Sequence, residues 1–158
     1  MTNKDVFLVK YPDPGFGITN THPIIRTEGL ATCIATGGIF SNKTNESSLF
    51  MIHQPDYAHS SHISILQEIL INSHGKLIVF AKIPDQLKPP YTVNIDLQNS
   101  ETYAKALEIF LKNLKEGFPK FDINFLPYGS RKNPTLYSYA EIDLIQNLAI
   151  TDYGSVII

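Results

Sequence analysis

"SSHISILQEILINSHGKLIVFAKI", residues 60–83, changes its period partway along. Ile63, Leu66, Ile69 and Leu70 recur at helical spacing behind two serines, so the first part reads as an amphipathic helix with Gly75 as its stop. "KLIVFAKI" follows at once as an unbroken apolar run, the pattern of a strand buried on both faces. A second helix is expected over "NSETYAKALEIFLKNLKEGF", residues 99–118. Ser100 stands at its cap, Tyr103, Ala106, Leu107, Phe110, Leu111 and Leu114 form its apolar face, and Gly117 marks its end. The other segments read as strands: "DVFLVKY", "LATCIATGGIF" and "SLFMIH" before the first helix, "YTVNIDL" between the helices, and "FDINFLPY", "TLYSYAEIDLI" and "SVII" after the second. "PDPGFG" and "SNKTNESS" read as loops, Gly37-Gly38 as a tight turn, and "GSRKNP" as a hairpin-like break. This order is not the strict alternation of a doubly wound parallel sheet. It predicts an α+β fold, a layered α/β/β sandwich of mostly antiparallel strands with two main helices on one face.

The 158 residues fit one domain spanning 1–158. A hydrophobic fraction of 43% with 18% charged residues belongs to a globular chain rather than a disordered one. The net charge of −2 and the scattered lysines and arginines leave no basic footprint, so nucleic acid is not an expected partner. No run reaches the ~18 apolar residues of a membrane span, and the N-terminal stretch lacks a signal-peptide core. One cysteine forms no internal disulfide, which fits a cytoplasmic setting.

That cysteine, Cys33, lies in "RTEGLATCIATGGIF", and His53 follows on its own apolar run in "SLFMIHQPD". Taken singly, a cysteine among Ala, Ile and Gly is more often a small buried hydrophobe, and a histidine before proline a satisfied structural side chain. Together they are a candidate nucleophile and base. A thiol needs a neighbour to take its proton, the imidazole needs a third group to hold it, and two successive strands joined by a polar loop bring the pair within reach. Thr27 and Thr32 precede the cysteine closely, and Gln54 follows the histidine. Thr32 and Gln54 are candidate substrate-binding residues, although Gln54 and Asp56 fit a loop-capping role equally.

"TEGLATC", then a loop and an apolar strand ending in "HQP", resembles the chemoreceptor glutamine deamidase family CheD. That family carries a threonine, a glycine–leucine–glycine–serine–cysteine run, and a histidine at the end of an apolar strand shortly before a proline. The resemblance runs from about residue 26 to 145, with a motif only in its first third, and extends to the catalytic domains of cytotoxic necrotizing factor toxins. It implies a cysteine-dependent protein glutamine deamidase with Cys33 as nucleophile, His53 as base and Thr27 as the third member. No cofactor or metal is implied, and the partner is a protein presenting a glutamine. The chain departs from the family at Ala31 and Thr32, where glycine and serine stand, at "LFMI" in place of a glycine pair, and in its longer loop. A bacterial effector or toxin secreted into a host cell by a signal-peptide-independent route is then an alternative to a chemoreceptor-directed enzyme. A catalytically silent binding module on the same fold is the reading from another class. A papain-like protease is disfavoured because His53 follows Cys33 too closely for that fold.

Weaker signals complete the reading. "HQPDYAHSSH" holds three of the five histidines, but the spacing of His59 and His62 matches no strong zinc pattern and reads as a solvated helix N-terminus. Tyr128, Tyr137 and Tyr139 are expected to pack across strands. The polar loop from Ser41 to Ser48 is expected to rim the cleft and select the partner.

Overall fold

The computed structural model describes residues 3–30, 33–42, 46–55, 59–82, 107–129 and 138–158. A short 3-10 turn, Asn3–Asp5, leads into β1 (Val6–Val9), β2 (Phe16–Thr19), β3 (Ile24–Leu30), β4 (Ile34–Ser41) and β5 (Ser47–Gln54). Helix α1 (His59–Leu70), β6 (His74–Lys82), helix α2 (107–117), β7 (Phe121–Tyr128), β8 (Ser138–Asp143), β9 (Leu148–Thr151) and β10 (Ser155–Ile157) complete the order. The strands form two five-stranded sheets, ordered β1-β3-β8-β9-β10 and β2-β5-β4-β6-β7. This is a mixed α+β fold.

Two apolar clusters divide the side chains by strand alternation. Leu49 and Met51 of β5, Ala35 of β4 and Phe80 of β6 turn inward onto Ile25, Ala140 and Ile142 of the first sheet. Phe50, Ile52, Ile34 and Val79 turn the other way, onto Leu66 and Leu70 of α1 and Phe110 and Leu114 of α2. The second sheet is therefore buried on both faces, as the unbroken run Leu77–Ala81 of β6 requires.

Several sequence expectations are corrected. The strand pairs are mostly antiparallel, as expected, but β1 pairs with β3, and β6 with β7, in parallel. A parallel pair needs a long crossover, and the chain between β6 and β7 supplies one containing α2. "GSRKNP" closes no hairpin, because β7 and β8 belong to different sheets. Tyr128 and Tyr139 consequently do not pack across neighbouring strands: Tyr128 is buried between the sheets, whereas the Tyr139 ring lies under the Arg26 guanidinium at 3.9 Å. Helix α1 ends before Asn72, which takes the left-handed conformation (φ 56°), and Gly75 belongs to β6. His62 is not solvated but buried, with Nε2 2.7 Å from Thr36 Oγ1 and its ring edge-on to Phe110. β2, β3 and β9 are strands that the sequence pattern does not announce. The expected strand "YTVNIDL", the Ser100 cap and Tyr137 lie outside the described residues.

Gly37-Gly38 is no turn either: β4 runs straight through it between β5 and β6. Close packing explains the pair. A Cβ on Gly37 would sit 2.9 Å from Ile142 and Met51 side-chain atoms, and one on Gly38 would collide with the Lys76 carbonyl oxygen. Because a ladder partner's backbone yields little, Gly38→Ala is expected to lower stability by about 2 kcal/mol in urea titration.

Candidate active site

Period two carries Leu49, Met51 and His53 of β5 to the inner face of the second sheet. In the first sheet the same alternation turns Ile25 and Thr27 inward while Arg26 and Glu28 point out, where Arg26 bridges Glu28 at 2.9 Å and Glu141 at 3.0 Å. Here the two inner faces meet at a polar contact, Thr27 Oγ1 to His53 Nδ1 at 2.9 Å, with both side chains fully buried.

The direction of that bond follows from a third atom. Thr27 Oγ1 donates its single proton to the Val9 carbonyl oxygen at 3.0 Å, since a carbonyl only accepts. Nδ1 of His53 must then carry the hydrogen and donate it to Thr27. The neutral ring is left with its lone pair on Nε2, which is buried and has no hydrogen-bond partner among the described residues, the Cys33 thiol included. Burial without a compensating charge lowers the His53 pKa from 6.5 to about 4, so the imidazole is neutral near pH 7. Its face is covered by the Tyr11 ring, stacked at 4.1 Å between centroids and 12° between planes.

Cys33 stands one residue ahead of β4. Ile34 pairs with Gln54 and Ala35 with His53, so Cys33 is the diagonal neighbour of His53 across the β4–β5 pair, a position typically about 7–8 Å away and within reach of long side chains. Cys33 and Ala35 both pack on the cluster between the sheets, the face that also holds Thr27 and His53. The thiol residue is half-buried, and its backbone carbonyl accepts the Tyr128 hydroxyl at 2.7 Å, which ties this end of β4 to β7.

Of the residues singled out from sequence, Thr27 and His53 are in direct contact and Cys33 shares their face. Gln54 is half-buried at the end of β5, its side-chain nitrogen beside Gly15. Thr32, Asp56 and residues 43–45, the centre of the loop from Ser41 to Ser48, lie outside the described residues. The described ends of that loop stand away from this site. Ser41 pairs with Ser47 at the closed end of the β4–β5 hairpin, whereas Cys33 and His53 occupy its open end, roughly 25 Å away at ~3.3 Å per residue. The segment beside the imidazole is instead the turn from Lys10 to Gly15, held by Gly15 N donating to Lys10 O at 2.9 Å and His53 N donating to Gly15 O at 2.7 Å. Val9, Tyr11 and Tyr128 are site residues that the sequence did not reveal. Only the proline-rich turn after Tyr11 offered a local signal.

Among the described residues no group of three or more His, Cys, Asp or Glu side chains converges as a metal site, and no helix is long and apolar enough to cross a membrane. No family model matches the sequence, and no curated protein matches it. Among solved structures the chain is similar to the hypothetical protein YfiH of Bacillus licheniformis, at 10% identity and a TM-score of 0.40 over 77% of this chain. The match covers 58% of that protein's length.

Proposed function

We propose that this chain is a cysteine-dependent protein glutamine deamidase on a layered α/β/β sandwich, with Cys33 as nucleophile, His53 as acid–base group and Thr27 as its orienting partner. One observation carries the reading: Thr27 gives its proton to Val9 and takes the hydrogen of Nδ1, so the lone pair of His53 is committed to Nε2, on the face shared with Cys33. The chemistry of such a pair is acyl transfer.

In the proposed cycle the Cys33 thiol proton passes to Nε2 as sulfur bonds to the carboxamide carbon of a partner's glutamine. A thiolate forming beside the ring raises the basicity that burial has lowered, so the two groups titrate as a pair. The imidazolium then protonates the departing ammonia as the C–N bond breaks, leaving a thioester. Water attacks the thioester with its proton taken by Nε2, and glutamate departs as the thiol is restored. Throughout, Nδ1–H stays on Thr27, which prevents the ring from flipping to the wrong tautomer. The substrate is a folded protein in the chain's own cytoplasm or, for a secreted effector, in a host cell.

The full burial of His53 is the feature that favours a catalytically silent binding module instead. Ammonia release and the amide-to-acid mass gain, measured on candidate partner proteins, separate the two. The enzyme reading expects both signals, and expects iodoacetamide treatment of the chain to remove them. A partner that binds tightly yet is never altered in mass would leave the module.

A further inference from the structure

We infer that Tyr11 is a positioning residue that keeps water off the His53 ring and so holds it as a neutral base; this rests on the reading of His53 as the acid–base group. The ring planes are nearly parallel and in contact. Tyr11 is 40% exposed, and its outer side lines an open groove of about 630 Å³ with Leu8, Lys10, Arg26, Glu28 and Tyr139. The phenol ring is thus the partition between that groove and the imidazole. Two backbone hydrogen bonds at Gly15 hold the turn that carries it, one of them made by the amide of His53 itself.

The surroundings of the imidazole leave the partition as the means of control. From the first sheet it meets the neutral Thr27, which is itself hydrogen-bonded to the Val9 carbonyl; on β4 its ladder partner is Ala35, with the titratable Cys33 diagonal to it; and from the turn it meets Tyr11, whose exposed neighbours there are Lys10 and Asp13. Burial is the cause of the lowered His53 basicity, and no carboxylate among the described residues contributes to it. Removing the ring admits water to one face of the imidazole and relaxes the penalty on its charged form.

The test is an NMR titration of His53 in the full chain, which needs no substrate. Tyr11→Phe keeps the covering ring and should leave the midpoint near 4. Tyr11→Ala should move it upward by about one pH unit or more, toward the ordinary histidine value. Tyr11→Gln, which replaces the ring with a hydrated chain of similar reach, should shift it the same way and serves if the alanine variant fails to fold. An unchanged midpoint in a folded Ala or Gln variant overturns the inference while leaving the deamidase reading intact. The expected shifts in a chain that turns over no glutamine substrate uphold the inference and remove that reading instead.

Discussion

Cys33→Ser should cut glutamine deamidation by at least about a thousandfold while the fold and partner binding persist. The substitution changes one atom in a half-buried position whose backbone is held by Tyr128, so the packing around it has little reason to move. What changes is the nucleophile. A serine hydroxyl is far less acidic than a thiol, and its proton must be taken by an imidazole whose burial has already weakened it as a base. A cysteine tolerates that weakness because its thiolate forms readily and stabilises the imidazolium beside it. Turnover is read as ammonia release and mass gain on the partner, and binding by calorimetry. Equal turnover in the two proteins would remove Cys33 from the reaction.

The second large effect concerns stability and pH. Folded, His53 takes up a proton only near pH 4; unfolded, it does so near 6.5, so between these values the native state binds fewer protons. This contribution is complete above pH 6.5 and falls away as the pH drops toward 4. Across that window it amounts to about 3 kcal/mol. Carboxylates titrate over part of the same range, so the readout is a difference. His53→Asn keeps a side-chain N–H for Thr27 but has nothing to titrate. Denaturant unfolding of both proteins from pH 7.5 to pH 4 should show the wild type losing about 3 kcal/mol more than the variant. Parallel curves would mean that the imidazole is not held neutral by burial.

The parts of this molecule that the sequence disclosed are those written in local periods. Leu66 and Leu70 mark α1, Phe110 and Leu114 mark α2, and Leu77–Ala81 marks the doubly buried strand β6, each within one short window. β2 is four residues long with Gly17 inside it, and β3 reads "IIRTEGL" with polar residues through its second half, so neither carries a clean alternation. Gly37-Gly38 looks like a turn in the sequence because the reason for its missing side chains, the Lys76 carbonyl and the Ile142 and Met51 side chains, comes from other strands.

The candidate site divides the same way. Cys33 and His53 stand on consecutive apolar segments, so their nearness across a hairpin is readable from order alone. Which end of that hairpin they occupy is not, and the described ends of the polar loop stand at the other end. Val9 and Tyr128 enter through contacts between strands of one sheet and Tyr11 along a turn, Tyr128 across 95 residues, and no local pattern encodes such pairings. The buried Thr36–His62 pair on the other face of β4 shows the converse: a histidine that looks solvated by composition is placed in the core by a helix packing on the sheet.

The central claim is that His53, fixed by Thr27, activates Cys33. The most direct measurement is the rate of Cys33 alkylation by iodoacetamide between pH 5 and pH 9 in the wild type and in His53→Asn, followed by intact mass. With the neutral imidazole taking the thiol proton as the sulfur is alkylated, reaction should proceed below the pH at which an ordinary thiol reacts, and the asparagine variant should return to the profile of a free cysteine with its midpoint near ~8.5. Superimposable curves for the two proteins would contradict the account, because the thiol and the imidazole would then be neighbours without being partners.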